Sequence, residues 1–284
     1  FQTEDNVTRL ALLAPDSPAP RLVAINGQRL LVYDISDPHN VSLLDSIIMS
    51  SDYMHMDLDV DTVEDLIVRT YFNVNSLTGY IQVLELNTSN HLATWGTVTL
   101  TGLGESITAN SFRVCVENGS KGITYFRVNG PGNIVERDSI QPKGYLADMD
   151  LKYTSLCTAE GNAGPVIYDV EDPDNIALES QGVFINSPMD GFAGGEYSFF
   201  IDGALEYSAF TTLKTPGPDS FLAWESYELD GFPSSIAYCG TMVIVGSLAD
   251  NKVWLFDISN PWYPPDMVYT KTFNSHVTSV TISE

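Results

Sequence analysis

Three stretches of this chain repeat one pattern: Leu30-Leu31-Val32-Tyr33-Asp34-Ile35-Ser36-Asp37-Pro38, Val166-Ile167-Tyr168-Asp169-Val170-Glu171-Asp172-Pro173 and Val253-Trp254-Leu255-Phe256-Asp257-Ile258-Ser259-Asn260-Pro261. Each is a run of β-branched, aliphatic and aromatic residues, then Asp, an aliphatic residue, two polar residues and Pro. Period-two alternation in such a run reads as a β-strand. The Pro has no N–H for a sheet ladder and presets a turn, and it forces its predecessor to extended geometry. Each copy is therefore a strand ending in a rigid turn. The repeated Asp34, Asp169 and Asp257 are expected to accept hydrogen bonds from turn N–H groups, because a residue copied into every repeat is architecture.

The spacing sets the fold. The three copies stand about three and about two units of roughly 45 residues apart, the length of a four-stranded propeller blade. Worn copies fall where that period puts them, at Tyr80–Leu86, Gly122–Val128 and Tyr207–Leu213. The chain thus reads as all-β, a β-propeller of four-stranded antiparallel blades spanning one domain, residues 1–284. New inner strands are expected at Met54–Asp61, Glu105–Asn110, Ala147–Tyr153, Met189–Ala193 and Ser234–Cys239. Residues 276–282 read as one more strand, which pairs with the N-terminal strands and closes a six-bladed ring with no exposed edge. A seven-bladed reading, in which 7–13 is already the inner strand of blade one, stays open. No amphipathic helix is expected.

The three sharp copies resemble the LVIVD-repeat family of β-propellers, whose units carry an aliphatic run, an Asp and an Asp-Pro turn. That resemblance implies a secreted or cell-surface protein that works as an interaction module. It implies no catalytic residue.

Lys and Arg number 13 against 37 Asp and Glu, a formal net charge of −24. A chain with no basic stripe to neutralise phosphates is not expected to bind nucleic acid. No apolar run approaches the length of a membrane span. Phe1 is not an initiator Met, which fits a processed chain or part of a longer one. Cys115 and Cys157 fall in strand patterns and read as buried free thiols; with Cys239 the count is odd, and none has metal-ligand spacing. Sequons at Asn6, Asn40, Asn87 and Asn118 are candidate N-glycosylation sites.

For chemistry, the inner strands of different blades converge at a central channel. His55, Asp57, Glu105, Asp148 and Asp190 are the candidate metal ligands there, with calcium the cation such oxygen donors suit. A channel cation polarising a carbonyl would make the protein a lactone or ester hydrolase. Asp57 to Asp65 is not an EF-hand loop: it lacks Gly at the sixth position and alternates as a strand, with Asp61–Asp65 expected at a solvated hairpin tip. Trp262 and Tyr263 form an aromatic, Pro-rich cluster suited to a partner contact. The leading expectation is a non-enzymatic, extracellular or cell-surface module acting through protein contacts or self-assembly. The calcium-dependent hydrolase and a carbohydrate- or ligand-binding module are the alternatives.

Overall fold

A computed structural model describes residues 7–13, 19–37, 39–181, 188–193, 197–204, 207–214, 223–247, 249–260, 265–274, 277 and 280. The chain divides into two compact units, Phe1–Gln141 and Pro142–Glu284, each carrying three sheets.

In the first unit, sheet 1 is β1 (Val7–Leu13), β2 (Arg21–Asn26), β3 (Arg29–Asp34) and β4 (Ser42–Ile48). Sheet 2 is β5 (Tyr53–Asp61), β6 (Leu66–Asn73), β7 (Thr78–Leu86) and β8 (Leu92–Thr99). Sheet 3 is β9 (Ile107–Asn110), β10 (Arg113–Glu117), β11 (Ile123–Val128) and β12 (Ile134–Ile140). In the second unit, sheet 4 is β13 (Asp148–Lys152), β14 (Ser155–Ala159), β15 (Pro165–Asp169) and β16 (Ala177–Gln181). Sheet 5 is β17 (Pro188–Ala193), β18 (Tyr197–Ala204), β19 (Tyr207–Lys214) and β20 (Ala223–Glu228). Sheet 6 is β21 (Ser235–Cys239), β22 (Met242–Ser247), β23 (Lys252–Asp257) and β24 (Asp266–Thr272).

All six sheets are four-stranded, antiparallel and ordered as the chain runs, the pattern of a propeller blade. The fold class read from the sequence stands: all-β, with six β-propeller blades. Helix among the described residues is confined to single 3-10 turns at Gly119–Lys121 and Gly161–Ala163. β1 is the first strand of sheet 1, which draws all four strands from the N-terminal end of the chain. Most of the expected closing strand, 276–282, lies outside the described residues.

The strand period explains the cores. In β6, Leu66 and Val68 point into a cluster shared with sheet 3, among Ile107, Val114, Val116 and Phe126. Ile67, between them, enters the cluster shared with sheet 1, among Val23, Ile25, Leu30 and Val32. Successive residues serve opposite faces, so a blade packed on both sides needs an unbroken apolar run. Sheets 5 and 6 share a cluster of Phe199, Phe210, Val243, Trp254 and Phe256. Each such side chain contributes about 1.5–3 kcal/mol of burial.

The outer strands carry a further regularity. In five of the six sheets the ladder between the third and fourth strands slips by one residue, at a β-bulge. The slip interrupts the row of free N–H and C=O groups that would otherwise template another strand.

Candidate functional site

The repeated aspartates are architecture, as expected. Asp34 Oδ1 accepts the Ser36 N–H at 2.9 Å, Asp169 Oδ1 that of Glu171 at 2.8 Å, and Asp257 Oδ1 that of Ser259 at 2.8 Å. Hydrogen bonding to Ser36 holds the Asp34 carboxyl below its ordinary range. Pro38 and Pro261 lie outside the described residues, as do Trp262 and Tyr263.

The acidic run of β5 does something the sequence did not reveal. Asp57, Asp59 and Asp61 are alternate residues on one face of the strand. Asp57 Oδ2 accepts the Ile107 N–H at 3.0 Å, Asp59 Oδ2 the Ala109 N–H at 2.7 Å, and Asp61 Oδ2 the Phe112 N–H at 2.7 Å. Three carboxylates thus lace sheet 2 to the β9 edge of sheet 3. Asp61 Oδ1 also accepts from Val63 and Glu64. Asp61 is therefore buried rather than at a solvated tip, which begins at Thr62. Its bond to Phe112 fixes a two-residue hairpin in which Ser111 (φ 52°) and Phe112 (φ 62°) are both left-handed.

The proposed metal ligands are placed as follows. In the first unit, Asp57 Oδ1 is 2.7 Å from Arg9 Nε, and burial raises its pKa against the lowering effect of Arg9. His55 is buried and hydrogen-bonds the Gln28 backbone; burial and the Arg69 guanidinium push its pKa down to about 4. Arg69, 2% exposed, donates to Gln82 Oε1 and lies 3.4 Å from His55 Nε2. A neutral imidazole facing a guanidinium is a poor cation site. Glu105 is exposed, ahead of β9, and after burial is the second cause that raises the Glu117 pKa. In the second unit, Asp148 opens β13 and Asp190 lies in β17. Asp190's side chain is outside the described residues. Among the described residues, no three His, Cys, Asp or Glu side chains gather to hold a metal.

A second device joins the incoming linkers of sheets 3, 4 and 6 to their own blades. Asn118 caps a 3-10 turn between β10 and β11 and is 1% exposed. Its Oδ1 accepts Thr101 N–H at 2.6 Å and Gly102 N–H at 3.3 Å, while its Nδ2 donates to Thr124 Oγ1. Glu160 occupies the matching position in sheet 4, 0% exposed. Its carboxylate accepts from Lys143 N–H at 2.6 Å, Thr158 Oγ1 at 2.9 Å and the Tyr168 hydroxyl at 2.7 Å. Asp250 repeats the arrangement in sheet 6, accepting Phe232 N–H at 2.7 Å and Ser247 Oγ at 2.8 Å. Beside each pin the linker carries a glycine, Gly102, Gly144 or Gly231, at which a Cβ would strike backbone of the turn or, at Gly231, Asp250 itself. The only sequence signal is that Gly in each linker.

These pins bear on the sequons. Asn118 has both ends of its amide bonded and is 1% exposed. Asn87 Oδ1 accepts from Ser89 and His91. Asn40 is exposed in a turn, and Asn6 is outside the described residues. Cys115 and Cys157 are buried free thiols; burial pushes Cys115 up to about 12, which leaves it unreactive. The Cys239 side chain is outside the described residues.

A few large apolar side chains stand on the surface, and the backbone holds two of them in place. Leu77 (65% exposed, φ 54°) ends the β6–β7 hairpin, and Tyr153 (64% exposed, φ 54°) opens the β13–β14 hairpin. Tyr145, 74% exposed, follows the pinned Lys143-Gly144 linker. Left-handed backbone costs a side-chain-bearing residue about 1–2 kcal/mol. Bulky, exposed residues in that conformation are the candidate contact points.

No family model matches this chain, and no curated protein matches it. Solved structures do. The structure of U3-55K is similar over 100% of this chain and 86% of that one, with a TM-score of 0.66 and 14% identity. The crystal structure of RRP9 WD40 repeats matches over the same shares, with a TM-score of 0.68 and 14% identity. At that identity the likeness is one of fold. Among the described residues no helix is long and apolar enough to cross a membrane.

Proposed function

We propose that this protein is an interaction module that binds a protein partner through exposed apolar residues on its strand-connecting turns. The observation that carries this reading is the backbone of Leu77 in the first unit and, as a separate turn, of Tyr153 in the second: each a large side chain held out in a left-handed conformation that Asn or Gly adopts at lower cost. The propeller neighbours support it, as does the engagement of His55, Asp57, Asp59 and Asp61 within the first unit. The likeness of the sharp copies to LVIVD repeats, with exposed Asn40 as a glycan acceptor, supports a secreted or cell-surface setting.

The test separates stability from contact. Leu77→Asn and Tyr153→Asn are expected to raise the melting temperature by relieving strain, and to lose the partner that the parent protein retains on affinity enrichment from its native source. Each variant is read alone: one that keeps the parent's partner at unchanged affinity rejects its own turn as the contact point.

A further inference from the structure

The chain contains three Asn-Gly steps, Asn26-Gly27, Asn118-Gly119 and Asn129-Gly130. As sequence they are chemically alike. In each, the glycine nitrogen, unhindered by a side chain, is placed to attack the asparagine side-chain carbonyl. The fold makes them unlike.

Asn118 is held at Oδ1 by Thr101 and Gly102 and at Nδ2 by Thr124, and it is buried. Asn26 is 6% exposed, the last residue of β2, in register with Arg29 across a tight hairpin. Attack needs the side-chain Cγ to swing onto the following nitrogen, which would tear either residue from its packing. Asn129 is exposed in the five-residue connection between β11 and β12. Its own N–H bonds Asn133 O at 2.8 Å, a bond that does not involve the side-chain amide. Gly130 has φ +126°, and nothing lies within 4 Å of where a Cβ would be, nor at Gly132. The loop has room for the ring that the attack forms.

We propose that Asn129 is a site of spontaneous, fold-gated deamidation. The Gly130 nitrogen gives up its proton and bonds to Asn129 Cγ. The Cγ–Nδ2 bond breaks, and the proton leaves with Nδ2 as ammonia. Water then opens the resulting five-membered imide at one carbonyl or the other, giving aspartate or, with the backbone rerouted through the side chain, isoaspartate. No oxidant or reductant is needed, and water is the sole co-reactant. The product adds one negative charge in the connection where the sharp repeats carry their Asp-Pro or Asn-Pro turn. Isoaspartate also lengthens the backbone there by one carbon, loosening the Asn129–Asn133 closure.

The experiment is peptide mapping by mass spectrometry after incubation of the intact protein in mildly alkaline buffer, folded and in denaturant. In the folded protein Asn129 is expected to gain about one dalton at least about tenfold faster than Asn26 or Asn118, a difference of about 1.4 kcal/mol in barrier. In denaturant the three rates are expected to converge. Equal rates in the folded protein overturn the proposal. A preference for Asn129 that persists undiminished in denaturant overturns the gating, since neighbouring sequence rather than the fold would then set it.

Discussion

His55 shows how a single burial decides a residue's chemistry. Its sequence position, on an inner strand beside Asp57, suits a metal ligand. Its surroundings, burial and the Arg69 guanidinium, keep it neutral. The ordinary value of 6.5 falls to about 4 in the folded protein. The unfolded chain therefore takes up a proton on this residue at a pH where the folded chain does not. Stability present above 6.5 is lost as the pH falls toward 4, by about 1.4 kcal/mol per pH unit from this residue. Urea unfolding across that window is expected to show this slope, and His55→Gln to remove its share of it. A slope that survives the substitution unchanged assigns the protons elsewhere.

Among elements, the pinned linkers are the least forgiving. Gly102→Ala and Gly144→Ala each drive a methyl into turn backbone that no side-chain rotation can move aside. Each is expected to cost about 1–3 kcal/mol by overpacking. Asn118→Ala leaves the Thr101 and Gly102 N–H groups without their acceptor and is expected to cost about 1–3 kcal/mol. Thermal unfolding of the three variants checks these values, with Gly130→Ala, whose Cβ meets no neighbour, as the strain-only comparison. The strands themselves were legible, because period-two apolar runs ending in Asp and Pro announce both a strand and its stop. β5, for example, is expected at Met54–Asp61 and is found at Tyr53–Asp61. The pins were not legible. Asn118, Glu160 and Asp250 share a position and a task but no residue type, and the linker each one grips is fixed only by the fold. The carboxylates of β5 misled for a related reason. An aspartate ready for calcium and one accepting N–H groups from β9 look identical in one dimension.

For the molecule as a whole, a charge of −24 suggests cation binding, yet in the first unit the carboxylates nearest the expected site already have partners. For Asp57 to coordinate calcium, its oxygens would have to share their charge with Arg9 and the Ile107 N–H. The melting temperature is expected to be the same with calcium and with a chelator at matched ionic strength. A rise with calcium, by selective binding to the folded form, would support the channel site. The linker pins carry one more consequence, for how such a chain changes over generations. A glycine and the acceptor across from it form a single hereditary unit: Gly102 with Asn118 and Gly144 with Glu160. Neither half can drift alone, because a side chain at the glycine ejects the linker and a lost acceptor strands its amides. Natural variants of this protein should therefore exchange one pin for another, amide for carboxylate, while the glycine opposite stays fixed.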